Sequence, residues 1–81
     1  MNVPKFDHAE DFVGWCSTIG LTEPFVDALA AVANAECDCT LGVAYENIRT
    51  ACKYAGLFHA LREAYRIADS RLNSDLYEET A

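Results

Sequence analysis

Eighty-one residues and 8.9 kDa suffice for one small hydrophobic core and leave too few residues to close a second, so the chain reads as one unit. Its 52% hydrophobic content and mean hydropathy of -0.01 exclude a disordered composition. Thirteen acids against six Lys and Arg give a formal charge of -7, which argues against nonspecific attraction to nucleic acid or anionic membranes.

Asp7-x-x-Glu10 has the form of a capping box with Asp in place of Ser or Thr. Ala9, Phe12, Val13, Cys16 and Ile19 follow at helical spacing. This first helix stops at Gly20, which suits the left-handed position after a helix and lets Leu21 contact Cys16. Thr22-Glu23-Pro24 then opens a second helix: Thr22 as cap, Glu23 against the helix dipole, Pro24 where its missing N–H costs nothing, and Leu21 stapled to Val26. Phe25, Ala28, Leu29 and Val32 give its buried stripe to about Ala35.

A turn is expected over Glu36-Cys37-Asp38-Cys39-Thr40, with Asp38 or Thr40 capping a third helix. Leu41, Ala44, Tyr45, Ile48, Cys52 and Ala55 form the cleanest amphipathic pattern in the chain. Gly56 ends it, and a fourth helix carries Leu57, Leu61, Ala64, Ala68 and Leu72, with Phe58 and Tyr65 beside that stripe. A continuous seam through Ile48, Ala51, Ala55, Phe58, Leu61 and Tyr65 also permits one bent rod; a C-cap role for Gly56 favours a hairpin. Residues 73–81 read as an acidic tail or a short turn around Leu76 and Tyr77. The expected fold is all-α, a compact single-domain bundle of three to four short helices over residues 1–81, with its core at about 7–72.

The N-terminal residues lack the apolar core of a secretory signal, and the longest strictly apolar run, Ala28 to Ala33, is six residues. A cytoplasmic protein without membrane contact is expected, with Cys16, Cys37, Cys39 and Cys52 as reduced thiols. Cys37-Asp38-Cys39 is the one local spacing that suggests zinc, but no second pair completes it, and Cys16 and Cys52 fall on apolar stripes. No metal or cofactor is expected. His8 and Cys16 stand about 12 Å apart along one helix, and His59 is placed to pair with Glu63 four residues on. With no cleft foreseen in an Ala-rich helical chain, no enzymatic activity and no catalytic residue are expected. Trp15, Phe12 and Phe25 are core candidates.

Charge is segregated along the chain. Before Ile48 one base, Lys5, stands against eight acids; from Ile48 onward five bases meet five acids, so the whole -7 lies in the first part. Arg49 with Lys53 and Arg62 with Arg66 are like-charge pairs at i,i+4, each unfavourable by about 0.2–0.5 kcal/mol unless an opposite charge faces it. Either the acidic first and second helices supply that charge, or the pairs serve a partner.

Two candidate protein-binding surfaces follow. One is a basic and aromatic ridge of Arg49, Lys53, Tyr54, Arg62, Tyr65 and Arg66. The other is an acidic surface of Asp11, Glu23, Asp27, Glu36, Asp38 and Glu46, able to imitate a phosphate array. The reading is a small acidic inhibitor or regulator that occludes a site on a larger, nucleic-acid-binding protein or complex. By analogy of size and charge alone, a phage-encoded DNA mimic or anti-CRISPR-like antagonist of a defence complex is its concrete form. The alternatives are a small dimeric DNA-binding regulator using the basic C-terminal helices and, more weakly, a Cys-based metal or redox module. A homodimer fits either of the first two readings, whereas direct nucleic-acid binding is disfavoured by the net charge.

Overall fold

In the computed structural model, which describes residues 3–73, helix α1 spans Ala9–Thr18. It begins one residue later than the capping box implies. His8 is the N-cap, in extended conformation and without a side-chain cap bond, and its carbonyl accepts the Phe12 N–H at 3.3 Å. Asp7 is therefore outside the capping position, and Glu10 and Asp11 supply the acidic first turn. At the other end Gly20 has φ +86°. The Leu21 N–H donates to Cys16 O at 3.4 Å and the Gly20 N–H to Ser17 O at 3.2 Å, the paired bonds of a Schellman motif. Ile19, expected on the buried stripe, falls past the last helical residue and is exposed.

Helix α2, Glu23–Ala33, has Pro24 in its first turn and Thr22 as N-cap by backbone conformation, although the Thr22 side chain makes no cap bond. It ends two residues short of Ala35 and has no glycine to close it. Arg71 closes it instead, its Nη2 donating to Ala33 O at 3.0 Å and also to Ala35 O. Both alanines are buried, so these carbonyls would otherwise be desolvated without a donor.

Helix α3 spans Asp38–Ala55, and its N-cap is Cys37, not Asp38 or Thr40. The Cys37 Sγ accepts the Thr40 N–H at 3.5 Å and lies 3.1 Å from the Thr40 Oγ1. Asp38 sits in the first turn, where its charge favours the dipole. Gly56, at φ +74°, ends the helix in a second Schellman motif: Leu57 N–H to Cys52 O at 2.8 Å and Gly56 N–H to Lys53 O at 3.4 Å. Helix α4 follows over Phe58–Leu72. The two form a hairpin, since the Tyr45 and Tyr65 rings meet edge to face at 5.3 Å across the Gly56 turn. The turn considered around Leu76 and Tyr77 lies outside the described residues.

All-α architecture thus holds, with four helices among the described residues. Helices α2 and α4 each pack against all three of the others. Ala60, Ala64 and Ala68 are fully buried on α4 and allow close approach of its neighbours. Phe12, Cys16, Leu29, Val32, Leu41, Cys52 and Leu61 fill the centre, and each larger apolar side chain among them contributes about 1.5–3 kcal/mol by leaving water. Trp15 and Phe25 are half-buried at its edge.

The lead-in to α1 is part of the body. Phe6 packs 5.8 Å from Phe12 and 5.8 Å from Trp15, ring centre to ring centre. Its backbone is clipped to α4: the Phe6 N–H donates to Glu63 Oε2 at 2.8 Å, and Arg66 Nη2 donates to Phe6 O at 2.6 Å.

Candidate functional site

Charge pairing decides which surfaces remain available. Among the described residues the one ion pair is Arg66 with Glu63, 2.7 Å apart on α4, with Arg66 Nε also donating to Glu63 Oε1 at 2.8 Å. Glu63 is only 8% exposed, turned inward toward Phe6 and away from the expected pairing with His59. The Arg66 hydrogen bond, aided by the Phe6 N–H, holds its carboxyl below the usual range and in turn raises Arg66. The acidic first and second helices therefore do not answer the basic pairs: Arg66 is satisfied within its own helix and Arg71 by carbonyls. Arg49, Lys53 and Arg62 have no carboxylate within 4.0 Å among the described residues.

Two grooves flank α3. The first, of about 1080 Å³, runs between α3 and α4. Asp38, Gly42, Tyr45 and Glu46 line it from α3, and Arg62, Tyr65, Arg66 and Asp69 from α4. Helical register continues the α3 wall from Glu46 to Arg49 and Lys53, three and seven residues on. Five of the six expected ridge residues are thus on one face; Tyr54, 87% exposed, is not in the groove wall. Acidic Asp38 and Glu46 join this face, a juxtaposition hidden from the chain order because it depends on how the hairpin folds back.

The second groove, of about 410 Å³, runs between α2 and α3 and is apolar. Phe25 and Ala28 from α2 face Val43, Ala44 and Ile48 from α3. Val43 is 57% exposed and, with Asn47, lines both grooves. Carboxylates stand on both rims. Asp27 is adjacent on the helix to Pro24 and Ala31 of the groove wall, with Glu23 one turn before it, and Glu46 is adjacent to Val43. Glu36 is in the connection that leads from α2 into α3 and Asp38 in the first turn of α3, and all of these acids are exposed. Asp11, on α1, is exposed but lines neither groove.

Burial pushes the Cys16 thiol up to about 11 and also raises Cys52, so neither is a nucleophile near neutrality. Cys37 is exposed, and its bonds to Thr40 lower it. His59 is exposed while Cys52 is buried. Among the described residues no three His, Cys, Asp or Glu side chains are grouped so as to hold a metal ion, and no helix is long and apolar enough to cross a membrane.

No protein-family model, no curated protein and no solved structure matches the chain.

Proposed function

We propose that the protein is a non-enzymatic binding module, a small acidic inhibitor or regulator that seats its α2–α3 groove on a basic, nucleic-acid-binding protein or complex and occludes that site. The observation that carries this reading is the apolar groove with carboxylates on both rims: Phe25, Val43 and Ile48 in the wall, Asp27 and Glu46 beside it. An apolar centre inside a polar rim is the anatomy of a protein interface. The net charge of -7 steers a basic surface toward it and sets orientation, while covering Val43 and its neighbours supplies affinity. An antagonist of a nucleic-acid-guided or DNA-cleaving defence complex is the concrete form of this reading, and it rests on size and charge.

Immobilised native protein is compared with Asp27→Lys and Ala51→Glu, both at exposed positions, for capture from the native lysate. The reading expects a larger nucleic-acid-binding protein that is released by either substitution and by added duplex DNA. Capture indifferent to both substitutions contradicts it. Direct binding of random duplex near physiological ionic strength, abolished by Arg49→Glu with Arg62→Glu, would establish the DNA-binding regulator instead; Arg66 is unsuitable for that test because it clips Phe6.

A further inference from the structure

The α3–α4 face carries a charge gradient that is complementary to its own reverse, and we infer that a second copy of this chain docks on it in antiparallel orientation. This goes beyond the proposed function; the two faces share only the Val43, Glu46 and Asn47 edge of α3, and the variants that test each lie outside that edge, so either can fail alone.

The tyrosine contact between Tyr45 and Tyr65 sets these positions at about the same level on the two helices. Distances along the axes follow from about 1.5 Å of rise per residue. On α3, Asp38 stands about 10 Å to one side of that level and Lys53 about 12 Å to the other. On α4, which runs the opposite way, Asp69 stands about 6 Å toward the Asp38 end and Arg62 about 4.5 Å toward the Lys53 end. One end of the face is therefore acidic and the other basic, at matched distances from an aromatic centre.

A two-fold axis lying in the face, across the helices at the tyrosine level, sets α3 on α3 and α4 on α4, each antiparallel. Asp38 then meets Lys53 of the second copy and Asp69 meets Arg62 of the second copy, each offset by about 1.5 Å along the axis. Symmetry makes every pair occur twice. Tyr65, 40% exposed, lies at the centre with Tyr45, the place where an interface gains most from aromatic side chains. Glu46 and Arg66 are each nearest their own symmetry mates, but Glu46 stands on the outer rim beside Val43, where solvent screens it, and Arg66 is already paired with Glu63. The surplus negative charge lies in residues before Ile48, most of it on α1, α2 and the turn after them, so the two copies join through their least repulsive side. Docking also answers Lys53 and Arg62, which have no carboxylate within 4.0 Å among the described residues of one chain, and leaves the acid-rimmed α2–α3 groove facing outward.

A face two helices wide and about 22 Å long covers roughly 400 Å² per copy, half of the ~800 Å² per partner typical of a tight complex. The dimer is accordingly reversible, with dissociation in the micromolar range or weaker. Salt is a poor readout, because it screens the long-range repulsion between two chains of -7 as well as the short-range pairs.

Charge exchange is the test. Sedimentation equilibrium of the full chain from about 10 μM to 1 mM should give a mass approaching twice 8.9 kDa. Asp38→Lys alone and Lys53→Glu alone should each raise the dissociation constant about tenfold or more, since reversal converts two attractive pairs to repulsive ones. The double variant should restore it to within about threefold. Arg62→Glu with Asp69→Lys provides an independent exchange on α4, and circular dichroism checks that each variant is folded. A monomer throughout that range, a dimer indifferent to the single reversals, or losses that the double exchanges fail to rescue would each overturn the inference.

Discussion

Glu63→Gln tests the clip that holds the N-terminal lead-in to α4. In the native protein the Glu63 carboxylate accepts the Phe6 N–H at 2.8 Å and two bonds from Arg66 at 2.8 and 2.7 Å. All three are charge-assisted, and charge-assisted bonds are roughly twice as strong as neutral ones. The amide keeps the shape and, with its oxygen at the Oε2 position, can still accept the Phe6 N–H and Arg66 Nη2 as neutral-acceptor bonds, but its NH₂ group then faces Arg66 Nε. Arg66 is 44% exposed on its side chain and recovers part of its loss in water, so the net effect is about 2 kcal/mol and not the sum of three bonds. For a domain of this size that is a fall of about 8–16 °C in Tm, measured by circular dichroism at pH 7. Trp15 fluorescence should change in parallel, because Phe6 packs 5.8 Å from its ring. The pH dependence has a fixed sign. Folding depresses the Glu63 carboxyl below its ordinary value, so its contribution is complete above the unfolded value of about 4.3 and is lost as pH falls through the folded value. The gap between native and variant should therefore narrow in acid. A variant within about 0.5 kcal/mol of native at pH 7, the ordinary range of a neutral surface substitution, would refute the reasoning, as would a gap unchanged down to pH 3.

Three further outcomes follow from local geometry. Arg71→Met removes the donors to the buried Ala33 and Ala35 carbonyls and should cost about 1.5–3 kcal/mol, read by chemical denaturation, with hydrogen exchange quickening first at the C-terminal turn of α2. Gly56→Ala has open space for its Cβ but keeps φ +74°, so it should destabilise by about 1–2 kcal/mol while leaving the native fold and helix content unchanged. With iodoacetamide at pH 7, mass spectrometry should find Cys37 alkylated long before the buried Cys16 and Cys52, and Thr40→Val should slow Cys37 by removing the hydroxyl contact that lowers its thiol.

Where an element's limits depend on its own residues, they were legible in the sequence. Gly20 and Gly56 end α1 and α3 because a left-handed residue is needed there, and Pro24 marks the first turn of α2. The α1 and α3 N-caps differ from expectation for local reasons, and the other differences arise where a distant residue intervenes. Helix α2 stops without glycine because Arg71, 38 positions from Ala33, satisfies its carbonyl. Glu63 reads as a surface partner of His59 until Phe6, 57 positions away, is folded against it. Cys37 caps α3 although sulfur is a poor acceptor, with Thr40 supplying both contacts. The i,i+3 spacing of Glu63 and Arg66 was the available signal for the clip, and nothing in the chain order linked it to Phe6. The candidate surfaces show the same division. Composition identified exposed acids and an aromatic, basic stripe; only the hairpin at Gly56 brings Asp38 and Glu46 onto the face of Arg62 and Tyr65.

Hydrogen exchange of the protein bound to the partner it captures is the most direct measurement of the proposed docking mode. Protection should concentrate on residues 24–31 of α2 and 40–51 of α3, the walls of the acid-rimmed apolar groove. Protection confined to α1, or an exchange pattern identical with and without partner, would contradict it.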